Sequence, residues 1–208
     1  LAGDDAANDK VVEHMAKELQ IADKIGAIGC VLHVGKALKL PREDGTVRMF
    51  NTVKRILEPL IGSAGCVKLI IETPAGQGTE LLCKLAELAA FYNRFSDEEK
   101  ARLGICVDTA HIWATGVDMS TPEAVRAYFD TFESLFGTGA LAIIHMNNSK
   151  VANGCCVDRH APIFGFNGTI PVKSLEEVVR IGKGKNVPIV LETDMLKDHE
   201  IQWLASVS

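Results

Sequence analysis

The chain has 208 residues, 47% of them apolar and 24% charged, with a formal net charge of −5 and a mean hydropathy of +0.13. This is ordinary globular usage, enough for one well-formed core, and the acidic balance argues against a generally basic nucleic-acid binder. No apolar run nears the ~20 residues of a membrane span and no signal-peptide pattern leads the first helix, so the expectation is an intracellular, non-secreted protein without a membrane partner.

In chain order, helical and strand signals alternate. Asn8 to Ile25 carries a helical stripe (Val11, Val12, Met15, Leu19, Ala22) with Asn8 as the candidate N-cap. The run AIGCVLH then reads as a strand closing on His33. Thr46 to Leu60 is helical, with Val47, Phe50, Val53, Ile56, Leu57 and Leu60 expected on the buried side. The strand run CVKLIIE ends at Glu72, and a helix is expected from Thr79 to about Phe91. Ser96-Asp97-Glu98-Glu99 opens a short helix in capping-box fashion. LGICVD ends at Asp108, and Thr121-Pro122-Glu123 starts a helix that stops at Gly137. LAIIH ends at His145, and a long loop runs through Asn167 to a helix from Pro171 to about Ile181. The run VPIVLE to Glu192 and a helix to Trp203 complete the chain. No linker or low-complexity stretch divides it, so residues 1–208 read as a single domain.

Five apolar runs thus each end in a metal-competent side chain: His33, Glu72, Asp108, His145 and Glu192. A ring of ligands at strand ends is how a parallel barrel builds a site at its C-terminal face. An open doubly wound sheet is the alternative, but its ligands gather at one switch point. Two tight motifs add candidates. Asp108-Thr109-Ala110-His111 spaces a carboxylate and an imidazole three apart, and Asp158-Arg159-His160 places two ligands on alternate residues of an extended loop. Four imidazoles and four carboxylates suit zinc, with manganese or iron as competitors, and eight ligands suit two or three ions. Only five strands are visible where a closed barrel of this type has eight, so the reading is a TIM-type (β/α)8 barrel seen in its C-terminal five βα units, belonging to a longer protein. Cys30, Cys66 and Cys106 lie in the strand runs and read as small buried hydrophobes, while the adjacent Cys155 and Cys156 lack structural-zinc spacing. A reducing compartment, cytoplasm or nucleus, follows. Met119, Met146 and Met195 read as packing residues, and His14 and His199 lie in helices away from the ligands.

The segments IIETPAGQG (Ile70 to Gly78), CVDTAH (Cys106 to His111), HMNNSK (His145 to Lys150), VDRH (Val157 to His160) and PIVLET (Pro188 to Thr193) resemble endonuclease IV. That family comprises zinc-dependent apurinic/apyrimidinic (AP) endonucleases of base excision repair on a TIM barrel. The resemblance implies three zinc ions. His33 and Glu72 would hold the first, with Glu72 bridging to the second as the catalytic carboxylate. Asp108, His145 and Glu192 would complete the second, and His111, Asp158 and His160 would hold the third. Three divalent ions would shift the net charge from −5 to about +1, all of it in one pocket.

The implied reaction is hydrolysis of the phosphodiester 5′ to an abasic site in double-stranded DNA, with Lys36, Lys150 and Arg159 as candidate DNA contacts. The family pattern has one further His on the first zinc, for which nothing before His33 stands. Three departures touch other positions. Asn148 stands where the family has Asp, Phe166 where it has the Glu of a Gly-Glu-Gly turn, and Val34-Gly35-Lys36 where it has Pro-Gly-Ser. A metal-dependent sugar isomerase or epimerase on a related barrel, or a degenerate non-catalytic homologue, are the alternative readings.

Overall fold

The structure, a computed structural model, describes residues 1–193 and 198–208; Met195 lies outside the described residues. The chain forms two compact units, Leu1–Pro74 with Gly78–Ile105, and Ala75–Gln77 with Cys106–Ser208.

In the first unit, helix α1 spans Asp5–Lys24 and starts earlier than the sequence reading, because Asp4 and not Asn8 caps it: the Asp4 carboxylate accepts from Ala7 N at 2.9 Å. Asn8 is buried and donates to Gly3 O at 3.0 Å. Strand β1 covers Gly29–His33, and α2 covers Arg42–Leu57. The earlier start of α2 follows Pro41, whose φ of −52° leads into a first turn carrying Glu43 and Asp44. Met49, Val53, Ile56 and Leu57 are fully buried, but Val47 is 48% exposed, since it lies two residues, about 200° of helical arc, from Met49.

Strand β2, Lys68–Glu72, pairs with β1 in parallel from Gly29↔Lys68 to His33↔Glu72. A Cβ at Gly29 would sit 2.4 Å from Lys68 O, so the strands close at this register only over glycine. Cys66 precedes β2 and is exposed, contrary to its reading as a buried hydrophobe, while Cys30 is half-buried and Cys106 buried. All six cysteines are free.

Helix α3 (Leu85–Tyr92) begins six residues after the expected Thr79 because Thr79 serves the preceding loop: its Oγ1 accepts from Leu38 N at 2.9 Å and its carbonyl from Ala37 N at 2.8 Å. Helix α4 (Asp97–Lys100) has the full capping box anticipated at Ser96 and Glu99. Phe50, Phe91 and Phe95 form an aromatic cluster with centroid separations of 4.6–5.9 Å.

Strand β3 (Leu103–Asp108) is buried along its whole length and passes from the first unit into the second. In the second unit α5 (Thr109–Ala114) follows directly. Helix α6 (Pro122–Phe136) is capped by Thr121, which accepts from Ala124 N at 3.2 Å, and ends at Gly137 with φ +83°. Strand β4 spans Leu141–His145. A short antiparallel pair, β5 (Asn148–Ser149) and β6 (His160–Ala161), then lies inside what the sequence reads as loop. Helix α7 (Val172–Gly184) packs with α6, joined by Arg126–Glu177 at 2.8 Å. Strand β7 is only Ile189–Val190, parallel to β4, so Glu192 lies two residues past the strand and not at its end. Helix α8 covers Asp198–Ser206.

The strand order is β1-β2-β3-β4-β7, with no reversal of the kind that marks a doubly wound sheet. Sequential order of parallel strands is the barrel pattern.

Candidate metal centre

In the first unit, the register that aligns β1 with β2 also sets their last residues side by side. His33 Nε2 lies 2.9 Å from Glu72 Oε2. The imidazole is 69% exposed, whereas the carboxylate is 3% exposed. A carboxylate buried to that degree is stable only against cationic or hydrogen-bonding partners.

In the second unit, Asp108 ends β3 with no solvent exposure. Its Oδ1 caps α5 by accepting from His111 N at 2.8 Å, and its Oδ2 accepts from Asn147 Nδ2 at 2.6 Å. The cap fixes the carboxylate and also places the His111 ring, one helical turn on, over the same end of the strand. His145 ends β4, and its Nδ1 lies 2.9 Å from Glu192 Oε2. Glu192 N in turn donates to Asn147 Oδ1 at 2.9 Å, which holds this carboxylate in place although it lies beyond β7. His160 opens β6, and Asp158 stands two residues before it, outside the strand. Asp158 lies 3.3 Å from His111 Nε2 and 3.2 Å from His160 Nε2.

The ligand atoms of Asp108, His111 and His160 all lie within 4.8 Å of one another, and so do those of Asp108, His145 and Glu192. Hydrogen bonds from His111 and then His160 hold the Asp158 carboxyl far below the usual carboxylate range. For His160, burial pulls the pKa down, but the Asp158 hydrogen bond and the charges of Asp108 and Asp158 outweigh it and the net shift is upward. The upward shift of His160 reports the negative charge of Asp108 and Asp158 around it, the field a divalent cation requires. The donor set of imidazole nitrogen and carboxylate oxygen fits zinc, manganese or iron.

Asn147 lies within the HMNNSK segment but is not among the candidate ligands read from the sequence, and it touches two of them, Asp108 and Glu192. Thr109 holds it: the Thr109 hydroxyl accepts from Asn147 N at 2.8 Å and donates to Asn147 O at 2.6 Å. Its place two residues after a strand-end ligand is the one sequence signal that marks it. Lys150 and Arg159 line a cleft of ≈ 560 Å³ together with Asp158, His160, Pro162 and Glu192. Lys36, in the first unit, pairs with Glu80 at 3.5 Å.

A family model described as xylose isomerase-like TIM barrel matches residues 1–207. A protein of Chloroflexus aurantiacus named "Probable endonuclease 4" is 32% identical over 198 residues, 93% of this chain and 67% of the relative. One of the same name from Symbiobacterium thermophilum is 34% identical over 190 residues, 91% of this chain and 65% of the relative. The chain belongs to the endonuclease IV family. The crystal structure of endonuclease IV from Thermus thermophilus superposes with a TM-score of 0.73 at 26% identity, covering 96% of this chain and 66% of that one. The fold is therefore the xylose isomerase-like TIM barrel, and the chain spans about two thirds of the length of these relatives. Among the described residues, no helix is long and apolar enough to cross a membrane.

Two departures from the endonuclease IV pattern acquire a structural meaning. Asn148 is buried and uses all its hydrogen-bonding capacity. Its Nδ2 donates to Ile163 O (3.2 Å) and Ile170 O (3.1 Å), and its Oδ1 accepts from Ser149 N (2.7 Å) and Ile170 N (2.9 Å). An aspartate could not donate to either carbonyl. Asn148 therefore closes the base of the loop that carries Phe166, the second departure.

Proposed function

We propose that this endonuclease IV family chain belongs to a zinc-dependent AP endonuclease that hydrolyses the phosphodiester 5′ to abasic sites in double-stranded DNA. The observation that carries the reading is the pair of ligand triads sharing Asp108, opening on a cleft lined by Lys150 and Arg159. His111, Asp158 and His160 would hold one ion, Asp108, His145 and Glu192 a second, and the His33–Glu72 pair would contribute to a third. Divalent ions held there supply Lewis-acid stabilisation of the phosphoryl oxygens and ionise water near neutral pH.

The chain's own residues do the rest. Lys150 and Arg159 draw the phosphate backbone toward the cleft, a sequence-independent and salt-sensitive attraction. Asn147 holds Asp108 and Glu192 at fixed orientation, as partners behind a ligand shell do. Glu72, buried on β2, is the carboxylate assigned to position the attacking water. Extruding a sugar that has no base costs little, because no base pair is lost, and this favours abasic substrates.

The test is a metal count on the purified protein together with incision of a duplex carrying one abasic site. Stoichiometric zinc, incision 5′ to the site, loss on chelation and recovery on zinc addition are expected. A metal-loaded protein that leaves the abasic duplex intact while epimerising a ketose would replace this reading with the sugar-epimerase one.

A further inference from the structure

The loop from Pro162 to Ile170 is held at several points. Ile163 N donates to the fully buried Glu200 carboxylate at 2.6 Å. Asn148 binds Ile163 O and both backbone groups of Ile170, and Thr169 Oγ1 lies 2.6 Å from Val151 O and 2.9 Å from Ser149 O, with its single proton to share between them. Two tight turns, Gly165 N to Pro162 O at 3.0 Å and Gly168 N to Gly165 O at 2.9 Å, shape the tip. A Cβ at Gly168 would lie 2.5 Å from Asn148 Nδ2, so this corner accepts only glycine against the Asn148 clamp.

On this fixed frame the two phenylalanines behave differently. Phe164 packs edge-on against Trp203 at 5.4 Å, with His199 at 5.7 Å. Phe166, at the tip, is 104% exposed. A phenylalanine ring left wholly in water forgoes about 1.5–3 kcal/mol of burial, and the pinned loop prevents it from folding back to recover any of that. Pro162, the first residue of the loop, lines the same cleft as Lys150 and Arg159. Two cations in a groove, and a solvent-facing aromatic ring on the loop whose first residue lines that groove, are the elements with which proteins hold nucleic acid, phosphates on the charges and a base on the ring.

We propose that Phe166 is a substrate-positioning residue that stacks on an unpaired or end-exposed base of the DNA at the abasic step. An abasic site leaves the opposite base without a partner and its neighbours without a stacking surface, and a ring on a rigid loop supplies that surface. The assignment rests on the nuclease reading and deepens it: the contact is aromatic and made by a residue outside the metal ligands.

The experiment uses the metal-loaded full chain and a duplex with a non-hydrolysable 5′ linkage at an abasic-site analogue, with 2-aminopurine opposite it. Wild type is expected to bind and change the 2-aminopurine fluorescence. Phe166→Ala should weaken binding about 5- to 150-fold, the span of one base–aromatic stack, and lose the fluorescence change. Its metal content, melting temperature and salt slope should match wild type, since the ring is neither buried nor charged. Phe166→Trp should retain both affinity and signal. If wild type binds and incises abasic duplex while Phe166→Ala binds within about twofold of it, the stacking role is overturned and the nuclease reading stands. If Phe166→Ala instead converts a dimer to a monomer with DNA binding intact, the ring serves a second copy of the chain and the proposal fails. A metal-loaded wild type that neither binds this duplex nor incises an abasic duplex with a natural linkage overturns both readings.

Discussion

Asn147 Nδ2 lies 2.6 Å from Asp108 Oδ2, the carboxylate shared by the two ligand triads. The same side chain accepts from Glu192 N through Oδ1, so one buried amide orients candidate ligands that stand 84 residues apart in the chain. Asn147→Ala removes both contacts. It is expected to weaken zinc binding about 10- to 100-fold and to leave the Asp108 carboxylate short of a donor, costing about 1–3 kcal/mol of stability. Zinc titration against a competing chelator, with urea denaturation, checks both; unchanged zinc affinity would reduce Asn147 to a packing residue.

Glu72→Gln keeps the side-chain volume on β2 but replaces the buried carboxylate beside His33 by a neutral amide. The variant should fold and melt within a few degrees of wild type yet lose incision of an abasic duplex. Full incision activity in a Glu72→Gln protein would remove Glu72 from the catalytic role.

Lys150 and Arg159 face the cleft and are both exposed. Replacing either by alanine should weaken binding to abasic and intact duplex alike and reduce the slope of log K against log salt by about one phosphate contact each. A slope identical to wild type would return that residue to the solvated surface.

The acid–base behaviour of the metal-free protein follows from the Asp158–His160 pair. The folded pKa of His160 is raised, so the stability gained from its protonated form is complete below the unfolded value, about 6.5, and disappears as pH rises through the folded value. The folded pKa of Asp158 is depressed, so its contribution is complete above the unfolded value, about 3.9, and is lost only as pH falls through the folded one. Zinc needs the imidazole neutral, and zinc affinity should therefore rise with pH up to and through the raised His160 value. Asp158→Asn should lower the His160 titration midpoint in a proton NMR titration of the apo protein. A midpoint that does not move would place the source of the shift elsewhere.

Asn148→Asp restores the residue usual in the family but strips the donors from Ile163 O and Ile170 O and buries a charge facing two carbonyls. A loss of roughly 3–5 kcal/mol is expected, with faster hydrogen exchange at the Ile170 amide, which now donates to Asn148. A variant as stable as wild type would mean that the loop is held without this clamp.

Local sequence signals were enough to list the candidate ligands and to read much of the element order. His33, Glu72, Asp108 and His145 each end a strand as the apolar runs imply, and the helices opened at Ser96 and Thr121 start as their local patterns require. These signals are local: a strand's alternation, a cap's three-residue reach and a motif's spacing are all written in neighbouring residues. Where competing local signals existed, boundaries moved, as when Asp4 capped α1 ahead of Asn8 and when Thr79 bonded to the Lys36–Leu38 loop. Long-range packing, by contrast, is what makes Asn147 brace Asp108 and Glu192, ties Ile163 to Ile170 through Asn148, and leaves Phe166 in water while Phe164 packs on Trp203. Those contacts join residues far apart in sequence, and an asparagine or phenylalanine carries no local mark of which distant group will satisfy or cover it.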